Sequence, residues 1–161
     1  MPLKFSTLWD VYPRAPDKKT LFNEIGGGWP ALIEKPEYDN TCTIRLSVAL
    51  IRADVSIPDD LAKLDGGHKD AHGRNMIVRV PTAGQLLNQL LGQSKWGMNK
   101  QVGSDVGGGL IPARTGVLLY SVPPPSDANG HVDLWKRDVC TIDCHNEYAR
   151  SATSIELWYL D

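Results

Sequence analysis

The spacing of apolar residues in the first two thirds of the chain is helical. Apolar positions there recur every three or four residues, which places them on one face of an amphipathic helix. The pattern predicts a short helix after Ser6, a helix that starts at Cys42, and a helix over residues 82–93 capped by Thr82.

The last third of the chain has a different pattern. After a possible strand at 75–80, three further segments combine β-branched and aromatic residues with bordering turn residues, which is typical of strands. They cover residues 115–122, 130–139 and 154–160. Helices followed by an antiparallel sheet indicate the α+β class. A length of 161 residues predicts one domain over residues 1–161.

Composition narrows the classes of partner. The chain is 42% hydrophobic and 22% charged, with a formal net charge of −2. Binding to nucleic acid or to an anionic membrane needs concentrated Lys and Arg, which here are scattered singly. No apolar run approaches the ~20 residues of a membrane helix. The first residues, MPLKFSTLWDVYP, lack the apolar core of a secretory signal peptide.

Cys42 is the first candidate for chemistry. It follows Asp39, Asn40 and Thr41, any of which can cap the predicted helix. Unpaired N–H groups and the positive end of the helix dipole favour a thiolate at this position, and N–H groups near residues 41–42 could stabilise an oxyanion. The alternative is a buried, unreactive thiol.

His131 is the candidate base for Cys42. It stands near the start of a predicted strand, in the segment GHVDLW. Alternation along that strand places His131 and Asp133 on the same side. A thiol at a helix N-terminus facing a strand-borne imidazole is a common way to build a cysteine nucleophile. A structural, hydrogen-bonded histidine is the alternative.

A nucleophile and a base need a third group that orients the imidazole. Asp143 is the best placed carboxylate, because it lies on the segment that follows the strand of His131. Asp133 and Asp138 are its rivals.

Cys140 and Cys144 form a close pair in CTIDC. We expect a short disulfide, which implies an oxidising destination. Metal binding with His145, or with His68 and His72 at helical spacing, is the weaker interpretation, because the flanking sequence is glycine-rich and no second cysteine pair exists. We therefore expect no metal and no cofactor.

Two motifs together are similar to a known family. NTCTIRLSVAL at 40–50 and GHVDLWKRDVC at 130–140, followed by CH at 144–145, resemble the type VI secretion amidase effectors of the fourth family. The resemblance covers most of the chain. It implies a papain-like fold of the NlpC type, with N-terminal helices packed on an antiparallel sheet.

The resemblance also implies an activity. Cys42 would be the nucleophile and His131 the base of an amidase that cuts peptidoglycan stem peptides between D-glutamate and meso-diaminopimelate. Asp143 is one position later than the family's orienting acid, where this chain has Ile142. The implied protein is an antibacterial toxin delivered by the type VI machinery into the periplasm of a rival cell, with a cognate immunity protein.

Two other functions compete with this one. A non-catalytic cell-wall-binding module could use Trp29, Trp96 and Trp135 as stacking platforms, with Cys42 merely packed. A transacylase or deamidase on the same scaffold could instead act on a protein.

Overall fold

The computed structural model describes residues 2–99, 101, 111–123, 130–137 and 151–161, together with the backbone of 139–140. Among these residues, no helix has the length and apolar character needed to cross a membrane.

The helices precede the main sheet in the chain. They are α1 (Phe5–Val11), α2 (Lys18–Ile25), α3 (Cys42–Arg52), α4 (Asp59–Asp65) and α5 (Val80–Leu91). Two 3₁₀ turns, Trp29–Leu32 and Pro36–Tyr38, separate α2 from α3. A small hairpin of β1 (His68–Lys69) and β2 (Asn75–Met76) lies between α4 and α5.

The main sheet has five antiparallel strands in the order β3-β7-β4-β5-β6. They are β3 (Trp96–Asn99), β4 (Thr115–Ser121), β5 (Gly130–Lys136), β6 (Val139–Cys140) and β7 (Ser154–Tyr159). The predicted α+β class is therefore confirmed, as are the strands predicted around 115–122 and 154–160. The single strand predicted over 130–139 is divided, because β5 ends at Lys136 and Val139 belongs to β6.

The largest apolar core joins the helices to the sheet. Leu46 and Leu50 of α3 and Leu86 of α5 are buried in one cluster with Val117 and Val132 of the sheet. Each such side chain contributes about 1.5–3 kcal/mol through removal from water. This packing holds the N-terminus of α3 near the start of β5.

The structure corrects several predicted element boundaries. α1 begins at Phe5, before Ser6, and α5 ends at Leu91 rather than at residue 93. α5 begins at Val80 rather than Thr82 and carries Pro81 in its first turn, a position that tolerates a residue without an N–H. The strand predicted over 75–80 is consequently limited to Asn75–Met76.

His68 and His72 do not share a helix face. His68 is in β1 and His72 is in the turn that joins β1 to β2, so the helical spacing considered for metal binding is wrong. The described residues contain no group of three or more His, Cys, Asp or Glu side chains suited to a metal ion.

Candidate active site

Cys42 is the first residue of α3, as its position after three capping residues predicted. Its side chain is buried, with an exposed fraction of 3%. Its backbone N–H donates to Asn40 Oδ1 at 3.2 Å. The capping oxygen therefore comes from Asn40, while Thr41 Oγ1 accepts a hydrogen bond from Arg45 Nε at 2.9 Å.

Asn40 also contacts the strand that carries the histidine. Its Nδ2 donates to the carbonyl oxygen of Gly130 at 2.8 Å. Gly130 is the first residue of β5 and directly precedes His131. One side chain therefore connects the N-terminus of α3 to the start of β5.

His131 is buried, and its imidazole contacts both a carboxylate and the thiol. Its Nε2 is 3.2 Å from Asp133 Oδ2, and the side chain of Cys42 is close enough to the ring to raise its pKa. A carboxylate can only accept, so Nε2 carries a proton and Nδ1 is left to accept the thiol proton. The ring stacks on Tyr120 of β4, with centroids 6.2 Å apart.

The surroundings of His131 favour its protonated form. Burial lowers the pKa of the imidazole, but the hydrogen bonds and charges of Asp133 and Cys42 outweigh burial and raise that pKa to about 10. A carboxylate on one side and a thiolate on the other stabilise an imidazolium. The arrangement therefore favours a proton on the imidazole of His131.

Two further side chains of α3 lie close to the thiol. Thr43 Oγ1 is 3.8 Å from Cys42 Sγ. Arg45 is buried and donates through Nη1 to the carbonyl oxygens of Pro13 and Pro16. Burial lowers the pKa of Arg45, while the neighbouring acidic groups of Tyr12, Cys42 and Asp17 oppose that effect. A buried cation on the same helix therefore adds to the positive environment of Cys42.

The structure brings Cys42, His131 and Asp133 together. The structure does not describe the side chains of the other predicted residues. Asp138, Asp143 and Cys144 lie outside the described residues, and Cys140 is described by its backbone alone. Their roles stay predictions.

The tryptophans considered as stacking platforms have structural partners. Trp29 is buried and donates from Nε1 to the carbonyl oxygen of Lys69. Trp135 is buried and donates to the carbonyl oxygen of Pro112, and Trp96 lies half-buried in β3. The contacts of Trp29 and Trp135 do not leave these two indoles as an open platform.

Sequence reasoning missed the roles of Asn40 and Arg45. Asn40 was only one of three possible caps, and its contact with Gly130 spans 90 residues of sequence. Arg45 belongs to the polar face of the predicted helix, yet it is buried. The only local sign of its role in the sequence was its i, i+4 spacing from Thr41, which allows the two side chains to meet on one helix face.

Several solved structures share this fold. The amidase effector Tae4 from Enterobacter cloacae, solved in complex with Tai4, has a TM-score of 0.81 and 20% identity, and the match covers 100% of both chains. Tae4 from the same organism, solved without Tai4, also has a TM-score of 0.81 and 20% identity, covering 100% of this chain and 98% of that one. The Tae4–Tai4 complex from Salmonella Typhimurium gives a TM-score of 0.76 and 22% identity, covering 100% of this chain and 99% of that one.

At these identities the structural likeness establishes the fold, which is the papain-like α+β fold expected from the motifs. No match was found among curated proteins. The sequence model of the family described as "Type VI secretion system (T6SS), amidase effector protein 4" matches residues 38–158, a range that holds Cys42, His131 and Asp133. The chain belongs to this family of type VI secretion amidase effectors.

Proposed function

We propose that this effector is a cysteine amidase that hydrolyses the peptidoglycan stem peptide at the γ-D-glutamyl–meso-diaminopimelate bond. The observation that carries the proposal is the position of His131, whose Nε2 lies 3.2 Å from Asp133 Oδ2 and whose pKa is raised by both Asp133 and Cys42. A nucleophile at a helix N-terminus, a base and a carboxylate behind the base make up the apparatus of acyl transfer.

The reaction proceeds through a thioester. His131 takes the proton of Cys42, and the thiolate forms a bond to the carbonyl carbon of the D-glutamyl residue. The protonated imidazole gives its proton to the departing diaminopimelate amine as the C–N bond breaks. His131 then activates a water molecule, which hydrolyses the thioester and restores the thiol.

The oxyanion of the tetrahedral intermediate lies at the N-terminus of α3, where the positive end of the helix dipole stabilises negative charge. The Cys42 N–H donates to Asn40 Oδ1 in the substrate-free protein.

The carboxylate that orients His131 is Asp133 in this proposal, because Asp133 Oδ2 is the described oxygen that contacts Nε2. Asp143 is the residue that the family resemblance favours, and substitution of each residue separates the two assignments.

The proposed site of action is the periplasm of a target bacterium, reached through the type VI machinery. A cognate immunity protein would protect the producing cell, in keeping with the solved relatives that are bound to Tai4. A disulfide between Cys140 and Cys144 would form in that oxidising compartment.

The test is mass spectrometry of Gram-negative peptidoglycan after incubation with the protein or with its Cys42→Ala variant. We expect muropeptides cut after D-glutamate, with the rate reduced by at least about 10³-fold in the variant. Unchanged muropeptides with folded wild-type protein would overturn the amidase assignment, and full activity of Cys42→Ala would exclude the cysteine mechanism.

A further inference from the structure

We propose that Asn40 is a positioning residue that holds the nucleophile Cys42 in register with the base His131. This inference rests on the proposed cysteine mechanism and adds a fourth residue to it. Asn40 touches neither reacting atom, so it acts through the two backbones that it connects.

The amide of Asn40 has only one orientation that satisfies both contacts. Its oxygen accepts from the Cys42 N–H at 3.2 Å, and its nitrogen donates to the Gly130 carbonyl at 2.8 Å. If the amide were flipped, its nitrogen would face the Cys42 N–H and its oxygen would face the Gly130 carbonyl, so neither hydrogen bond could form. The two bonds therefore fix the side chain and, through it, the spacing between α3 and β5.

The β5 end of this connection is rigid. Gly130 has φ +142°, and a Cβ at this position would lie 2.0 Å from the carbonyl oxygen of Tyr120 on β4. Gly130 thus packs directly on the neighbouring strand, and Tyr120 in turn pairs with His131 and stacks on its ring. A displacement at Gly130 would be transmitted to His131 through one peptide unit.

The connection is also protected from solvent. Asn40 is 8% exposed, and Cys42 and His131 are each 3% exposed. Water cannot readily replace hydrogen bonds in such a site, so loss of the amide leaves the Gly130 carbonyl without its partner. Because a misplacement of about 1 Å can cost about 10²-fold in rate, we expect the loss to appear in the chemical step.

Asn40→Ala and Asn40→Asp test the inference. The first removes both hydrogen bonds, and the second keeps an acceptor for the Cys42 N–H but removes the donor to Gly130. We expect each to lower kcat by about 10²-fold with KM within about 3-fold of wild type. In a second, substrate-free readout, alkylation of Cys42 by iodoacetamide at pH 6 should slow by about 10-fold, because the imidazolium no longer pairs with the thiolate.

Asn75→Ala is the matched control. Asn75 also bridges backbone and side chains, donating from Nδ2 to the Ile57 carbonyl and to Asp59, but it lies in the β1–β2 hairpin. Its removal should lower the unfolding temperature without changing kcat or the alkylation rate.

Two results would overturn the inference. One is a kcat and an alkylation rate of Asn40→Ala that both stay within about 3-fold of wild type. The other is that Asn75→Ala, at matched stability, loses as much kcat and alkylation rate as Asn40→Ala. Alkylation needs no substrate. A wild-type protein that fails to cleave peptidoglycan therefore counts against the proposed function, while the alkylation rates still decide the role of Asn40.

Discussion

At the scale of single residues, the charge on His131 depends on Asp133. Asp133 is 1% exposed, and its second oxygen accepts a hydrogen bond from the Leu134 N–H. A carboxylate buried this deeply requires a charged or strongly donating partner, and the imidazolium supplies one. The carboxylate therefore supports the protonated form of the imidazole.

Asp133→Asn should lower the pKa of His131 from about 10, because the variant loses the ionised acceptor while burial still opposes the charged imidazolium. We expect kcat to fall by about 10²–10⁴-fold, as for the loss of an orienting carboxylate in other triads. NMR titration of the histidine Cε1–H signals measures the pKa. Asp143→Asn is the companion variant, and an unchanged titration in Asp133→Asn with a shifted one in Asp143→Asn would assign the orienting role to Asp143.

Arg45 makes a second prediction at this scale. Arg45→Met keeps the apolar stem but leaves the Thr41 hydroxyl and the carbonyls of Pro13 and Pro16 without a donor. Unpaired buried acceptors cost about 1–3 kcal/mol each, so we expect a loss of at least about 2 kcal/mol in the free energy of unfolding. Urea denaturation measures it.

Arg52→Met serves as the control for Arg45→Met, because Arg52 is on the same helix with an exposed side chain 3.7 Å from Glu24. Exposed pairs contribute up to about 1 kcal/mol. Equal losses in both variants would contradict the structural importance of Arg45.

At the scale of elements, the strands were easier to predict than the starts of the helices. The apolar segments that form β4, β5 and β7 are bounded by turn residues and pair in the centre of the sheet, so local pattern and packing agree. The start of α5 was missed because Pro81 can either end a strand or open a helix, and only the tertiary fold decides between them.

The same difference separates the parts of the site. Cys42 and His131 stand in local patterns that indicate a helix start and a strand, and alternation along β5 placed Asp133 beside His131. The Asn40–Gly130 contact depends on how α3 packs against β5, since no local rule relates residues so far apart in sequence. Sequence alone therefore indicated the reacting groups better than the groups that hold them in place.

Ser47 secures α3 to the segment that leads into α5. The carbonyl oxygens of Thr43 and Ile77 each lie 3.1 Å from its hydroxyl and share its single proton, and the hydroxyl oxygen accepts from the Ile77 N–H at 3.0 Å. Ser47→Ala leaves the Ile77 N–H without its acceptor in a buried position, so the free energy of unfolding should fall by about 1–3 kcal/mol. Ser56→Ala, at an exposed position, is the control, and equal urea midpoints for the two variants would show that the contact is energetically neutral.

At the scale of the whole molecule, two histidines have opposite effects on the pH dependence of stability. Burial lowers the pKa of His68 below 6.5 against the opposing charge of Asp65, so protonation of His68 favours the unfolded chain. The pKa of His131 is raised to about 10, so the folded protein holds this proton more tightly than the unfolded chain does.

These shifts predict a stability maximum near the pKa of an unfolded histidine, about 6.5. The contribution of His68 is present above this pH and is lost as the pH falls through its lowered folded-state pKa. The contribution of His131 is complete below about 6.5 and is lost as the pH rises towards about 10. The urea midpoint should therefore be highest near pH 6.5 and should fall both towards pH 5 and towards pH 10. His131→Gln should remove the decrease of the urea midpoint above pH 6.5 and leave the decrease at lower pH. His68→Gln should have the opposite effect. A midpoint that stays constant in the wild type between pH 7 and pH 9.5 would contradict the proton-binding role assigned to His131.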